Sequence, residues 1–115
     1  MNTTCSLVQS NTYLYVGNSN ISSLNGIGYF TSLRILICPQ NNLTSLPALP
    51  ATLTYLDCQE NQLTSLPALP TTLIQLYCDD NQMTSLPALP LSLYYLDCSN
   101  NQLTSLTALP ATLEL

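Results

Sequence analysis

Catalysis and metal binding draw on few side chains, and in these 115 residues they come to five cysteines, six carboxylates and seven tyrosines, with no histidine and one basic residue, Arg34. Cys38, Cys58, Cys78 and Cys98 recur every twenty residues, and Cys5 stands apart. A zinc site needs converging ligands, commonly in CxxC or Cys/His pairs; this spacing offers neither, and no metal is expected. Equal spacing instead puts each thiol in the same slot of a repeated unit, where free cysteine serves as a small buried hydrophobe. Disulfides or a redox switch would need strained geometry or a lowered thiol pKa, so a reducing compartment is the simpler inference.

The carboxylates fare no better as catalysts. Asp57 and Asp97 occupy one column with Tyr77 between them; at a strand spacing of about 4.8 Å they would stand about 9.6 Å apart, at the edge of the inverting glycosidase range. Both are expected on an open face, where nothing raises one pKa or holds a sugar, so no enzyme is expected. Glu60, Asp79 and Asp80 could gather a hard cation from adjacent rows, but a solvated acidic face is the simpler reading. No cofactor is implied.

The elements that must carry these groups follow from the period. The frame Leu-x-x-Leu-x-Cys-x-x-Asn-x-Leu-x-x-Leu begins at Leu33, Leu53, Leu73 and Leu93, with Met83 for one Leu. In Tyr55-Leu56-Asp57-Cys58 the side chains alternate as in a short strand, which turns Leu56 and Cys58 inward and Tyr55 and Asp57 outward. Successive strands must then pair in parallel. Asn41, Asn61, Asn81 and Asn101 fall where the chain leaves the strand, and the amide can satisfy backbone groups in its own repeat and the next. Leu63, Leu66 and Leu69 return to the core, while Pro67 and Pro70 fix φ near about −65° and exclude a regular helix. The return limb is therefore extended or polyproline-like.

The frame divides one domain, residues 1–115, into an amino-terminal segment (1–10), a divergent copy (11–32), four regular units (33–52, 53–72, 73–92, 93–112) and the start of another (113–115). The divergent copy keeps Leu14, Val16, Ile21 and Leu24, has Ser19 where the others have Asn, and runs two residues longer, as capping repeats do. Six apolar side chains cannot offset the entropy of ordering twenty residues, so stability must come from stacked neighbours. The unfinished rung, with Leu106, Leu109 and Leu113 expected to be exposed, implies end-to-end self-association or a longer protein.

Composition narrows the partners. The chain is 46% hydrophobic, 25 residues are Leu, and the net charge is −5. One cation cannot neutralise a phosphate backbone or an anionic bilayer, so neither nucleic acid nor membrane is expected as a partner. No apolar run approaches the roughly 20 residues of a membrane span, and Met1 to Asn11 lacks the parts of a secretory signal.

From Leu46 to Pro67, and again from Leu66 to Pro87 with Met83 for one Leu, the chain reads Leu-Pro-Ala-Leu-Pro-x-x-Leu-x-x-Leu-x-Cys-x-x-Asn-Gln-Leu-Thr-Ser-Leu-Pro. This resembles the twenty-residue bacterial leucine-rich repeat subclass with a Leu-Pro-x signature, found in YopM- and IpaH-type secreted effectors. The cysteine slot is also similar to the cysteine ladder of internalin-like surface proteins. The resemblance implies a curved leucine-rich repeat solenoid with little helix, a parallel sheet on its concave face and extended segments on its convex side. It implies protein binding on the concave face, and either a reducing cytosol or secretion by a bacterium into a host cell without a cleaved signal peptide. It does not lend ligase activity, because the catalytic cysteine of those enzymes belongs to a separate domain and none of the five cysteines here matches it.

If the frame is structural, the positions it leaves free carry information about the partner. These include Tyr13 and Tyr15, then Arg34, Ile35 and Ile37, then Tyr55, Asp57, Gln59 and Glu60. Ile74, Gln75, Tyr77, Asp79 and Asp80 follow, and then Tyr94, Tyr95, Asp97 and Ser99. Six of the seven tyrosines and five of the six acids thus map to one face. Tyrosine is a stiff amphipathic contact residue, and carboxylates select for basic partners. The candidate partner-binding residues are therefore Tyr13, Tyr15, Tyr55, Asp57, Tyr77, Asp79, Tyr94, Tyr95 and Asp97. The alternative is a structural repeat fragment of a longer protein, with cross-strand tyrosine packing and no ligand of its own.

Overall fold

The computed structural model describes residues 10–106 and 108–114. Cys5 and the rest of residues 1–9 lie outside the described residues, as do Thr107 and Leu115. Each turn of the chain contributes one three-residue strand: β1 (Tyr13–Tyr15), β2 (Ile35–Ile37), β3 (Tyr55–Asp57), β4 (Gln75–Tyr77) and β5 (Tyr95–Asp97). They form one parallel sheet in chain order, and the register aligns Leu14, Leu36, Leu56, Leu76 and Leu96. There is almost no helix among the described residues. A 3-10 turn, Ile27–Tyr29, takes up the longer first return limb, and the chain enters it through Gly26 at φ 97°, a conformation open to glycine.

The core is a stack of equivalent layers. Leu33, Leu53, Leu73 and Leu93 are fully buried, as are Leu36, Leu56 and Leu76 from the strands and Leu43, Leu63 and Met83 from the return limbs. Leu49, Leu69 and Leu89 close each layer from the far side, half-buried. A tight turn then leads back to the next strand: the N–H of Leu53 donates to the Pro50 carbonyl at 3.2 Å, and Leu73, Leu93 and Leu113 repeat the bond to Pro70, Pro90 and Pro110.

What joins one layer to the next at the strand exit is an asparagine side chain. Asn61 Nδ2 donates to the carbonyls of Cys58 and Gln59 in its own turn and of Cys38 in the turn before, each at 3.1 Å. Its Oδ1 accepts the N–H of Leu43 at 3.1 Å. Asn81 and Asn101 repeat the pattern onto Cys58, Leu63, Cys78 and Met83. Asn41 does the same for the divergent turn, where its Oδ1 accepts from both Ser19 and Ile21. The side chain thus reaches back to the preceding repeat, and not to the next as the sequence suggested. The cause lies in the parallel ladder: the Cys38 N–H is taken by the Asp57 carbonyl of the following turn, but the following strand ends there and leaves the Cys38 carbonyl for Asn61.

Two further features tie the turns together. The residue before each ladder asparagine is left-handed, with φ between 54° and 56° at Gln40, Glu60, Asp80 and Asn100, an unfavourable conformation that Asp and Asn tolerate better than Gln and Glu. The hydroxyls of Thr52, Thr72 and Ser92 form a second column, donating at 2.6–2.7 Å to the carbonyls of Leu33, Leu53 and Leu73 one turn earlier. Among the described residues no buried side-chain polar atom lacks a partner.

The last rung differs from expectation. Leu106 and Leu109 are exposed, but Leu113 is half-buried against the core. Glu114 bridges in parallel to Tyr95, its N–H donating to the Tyr94 carbonyl and its carbonyl accepting from Leu96. The Pro110 turn, closed by the Leu113 N–H, delivers Leu113 to the core slot before any strand has formed.

Replacing Asn81 with Ala strips partners from the Cys58, Cys78 and Asp79 carbonyls and from the Leu63 N–H. It should cost about 3 kcal/mol in a urea unfolding experiment. Gln82 is exposed, and Gln82→Ala should change stability by less than about 0.5 kcal/mol.

Candidate partner-binding face

The register sorts the outward side chains of the sheet into two rows, Tyr13-Ile35-Tyr55-Gln75-Tyr95 and Tyr15-Ile37-Asp57-Tyr77-Asp97. Tyr55 and Tyr95 lie in the first row and Tyr77 in the second, so the three rings meet diagonally. Their centroids stand 5.4 Å (Tyr55 to Tyr77) and 5.0 Å (Tyr77 to Tyr95) apart, with interplanar angles of 40° and 35°, within the range at which aromatic pairs attract. The rings are half-buried, and the Tyr77 hydroxyl donates to Gln75 Oε1 at 3.2 Å. Burial first, and the Tyr77 hydroxyl second, push the Tyr55 phenol pKa upward.

The acids are less open than the sequence suggested. Asp57, expected to face solvent, is 8% exposed because Gln59 folds over it: Gln59 Nε2 donates to both carboxylate oxygens at 3.0 and 2.9 Å, and the Gln59 N–H adds a third bond. Asp97, also expected to be exposed, is half-buried and accepts from the N–H and hydroxyl of Ser99. Asp79 is half-buried, and desolvation, reinforced by Asp97, Asp80 and Asp57, raises its pKa. Glu60 and Asp80 are exposed at the left-handed positions. Among the described residues no three acidic or thiol side chains are grouped to hold a metal ion, and no pocket is enclosed.

The structure therefore gathers Tyr55, Asp57, Tyr77, Tyr95 and Asp97 into one patch, with Asp79 at its edge. Tyr13 and Tyr15, 52% and 57% exposed, stand two rungs away on β1. Tyr94 lies in the row before the strands, where its hydroxyl donates to Glu114 at 3.0 Å. Ile35 and Ile37, half-buried between the β1 tyrosines and the acidic rungs, were not among the residues expected to bind. Their place in the alternating frame was the signal for them.

Comparison with known proteins supports the architecture. A family model described as Leucine Rich Repeat matches residues 92–113. The chain is similar to a Shigella effector LRR domain, with 37% identity and a TM-score of 0.89 over 94% of this chain and 49% of that one. It is also similar to YopM from Yersinia enterocolitica, with 46% identity and a TM-score of 0.71 over 72% of this chain and 18% of that one. The chain thus spans about half of the first and under a fifth of the second. Among curated protein sequences no match is found.

The thiols stack behind the strands. Cys38, Cys58 and Cys78 are buried and Cys98, at the end of the regular stack, is half-buried. Cys38 Sγ donates to the Asp57 carbonyl at 3.4 Å. Burial first, then the Asp57 charge, push the Cys38 thiol from the ordinary 9.0 up to about 12. Cys58 and Cys78 are raised by burial and then by a neighbouring thiol, and Cys98 by burial and Asp97. A raised folded-state pKa contributes stability in full below the unfolded value and loses it as pH climbs through the folded one, so stability should decline as pH rises from 9.0 towards about 12. In a thiol titration of the folded protein at neutral pH, Cys98 should react first and Cys38, Cys58 and Cys78 only on unfolding. Equal reactivity at all four would contradict the buried ladder.

Proposed function

We propose that this stack of leucine-rich repeats, which match those of bacterial effectors, is a protein-binding module whose partner docks on the Tyr55, Tyr77 and Tyr95 patch of the sheet face. The observation that carries this reading is the ring stack: three phenols fixed against one another lose little conformational entropy when a partner covers them. Asp57, Asp79 and Asp97 beside them favour a basic segment, and Tyr13, Tyr15 and Tyr94 extend the contact surface. In this reading the chain works by binding and not by catalysis, and the effector-type repeats favour delivery by a bacterium into a host cell.

Each tyrosine at the centre of such an interface should contribute about 2 kcal/mol or more to binding, against at most about 1 kcal/mol to folding as a strand substitution. The triple replacement of Tyr55, Tyr77 and Tyr95 with Ser should leave a folded solenoid, by circular dichroism and cooperative melting, that no longer retains the protein captured by the unmodified chain. Retention of the same protein by the triple variant would assign the rings to the packing of the sheet and favour a purely structural repeat fragment.

A further inference from the structure

Apart from Asn2, which lies outside the described residues, the chain has ten asparagines, and the hydrogen bonds that hold the solenoid together treat one of them differently. Asparagine is lost from proteins when the backbone nitrogen of the following residue attacks the side-chain carbonyl carbon, which requires that nitrogen to be free and unhindered. For seven asparagines it is not free. Ser19 and Ile21, after Asn18 and Asn20, both donate to Asn41 Oδ1 at 3.0 Å. Leu43, after Asn42, donates to Asn61 Oδ1 at 3.1 Å. The N–H groups after Asn41, Asn61, Asn81 and Asn101 donate to the carbonyls of Ile21, Leu43, Leu63 and Met83 at 2.8–2.9 Å. Asn11 is followed by β-branched Thr12, and its Oδ1 accepts the Tyr13 N–H at 2.9 Å. Asn100 precedes Asn101, which three hydrogen bonds hold in place.

Asn25 has none of these restraints. It is exposed in the long first return limb and is followed by Gly26, whose N–H is paired with no acceptor among the described residues. With no Cβ, Gly26 offers nothing to hinder ring closure. The glycine is itself demanded by the fold, because the entry to the 3-10 turn has φ 97°, where an L side chain is strained. The turn thus fixes an Asn-Gly pair in a return limb that the asparagine ladder leaves free.

We propose that Asn25 is a site of spontaneous covalent modification, at which the Gly26 backbone nitrogen closes on the Asn25 side chain. The Gly26 nitrogen gives up its proton to hydroxide and forms a bond to Asn25 Cγ; the Cγ–Nδ2 bond breaks and Nδ2, taking a proton from water, leaves as ammonia, giving a five-membered cyclic imide. Water then opens the imide at either carbonyl. Opening at Cγ leaves aspartate at position 25, and opening at the main-chain carbonyl leaves isoaspartate, with the backbone routed through the side chain. The net change is amide plus water to carboxylate plus ammonium, with one more negative charge on the first return limb, away from the tyrosine patch.

The test is peptide mapping by mass spectrometry of the full chain, held folded at 37 °C at mildly alkaline pH and at mildly acidic pH. The peptide carrying Asn25 should gain the amide-to-acid mass difference and split into two chromatographic forms, faster at the higher pH, while those carrying Asn18, Asn42, Asn61, Asn81 and Asn101 stay unchanged. Asn25→Gln, which would have to close a larger ring, should lose the modification without loss of folding. In denaturant Asn18, followed by the small Ser19, should begin to react as its neighbour's N–H is released. An unchanged Asn25 in the folded protein, or conversion of Asn18 as fast as Asn25 before unfolding, would overturn the proposal.

Discussion

A parallel sheet whose strands are three residues long leaves backbone groups open where each strand ends, and no following strand is there to take them. The carbonyls of Cys38, Cys58 and Cys78 are such groups, and a buried carbonyl or N–H without a partner costs as much as a lost hydrogen bond. The asparagine one turn later supplies what the missing strand would have: its two amide protons reach three carbonyls, and its oxygen takes the N–H of Leu43, Leu63 or Met83. Every other regularity follows from keeping that side chain in place. The chain turns sharply through a left-handed residue just before it, and the twenty-residue length brings the next strand exit back into register. The hydroxyls of Thr52, Thr72 and Ser92 perform the corresponding task where each strand begins.

The same constraint shapes the sheet face. Short strands offer two outward positions each, so lateral contact between neighbouring turns decides how those side chains lie. Tyr77, offset by one row from Tyr55 and Tyr95, fills the space between them, and the three rings order one another. Gln59 and Ser99, at the strand exits, turn back onto Asp57 and Asp97. The face is thus pre-organised by its own side chains before any partner meets it, and its acids are partly satisfied from within.

Much of this was legible in the residues. The period fixed the strand positions, the inward slots of Leu56 and Cys58 and the exit position of Asn61, because those depend on alternation and spacing alone. Less legible were features that depend on what lies one turn away. The backward reach of Asn61 depends on which of the Cys38 groups the neighbouring strand has already taken. The burial of Asp57 depends on the rotamer of Gln59, and the docking of Leu113 on a turn set by Pro110. The column of Thr52, Thr72 and Ser92 was not among the features read from the frame, because its function needs the Leu33, Leu53 and Leu73 carbonyls in view. Of the candidate face, the row membership of Tyr55, Tyr77 and Tyr95 could be read from the frame; their mutual stacking could not.

The central claim is that each ladder asparagine holds the repeat before it. Residue-resolved hydrogen exchange on Asn61→Ala tests it most directly, because Asn61 Oδ1 bonds the Leu43 N–H while the Leu63 N–H is held by Asn81. The amide of Leu43 should lose protection and that of Leu63 should keep it. Loss at Leu63 with Leu43 still protected, or no change at either amide, would contradict the account.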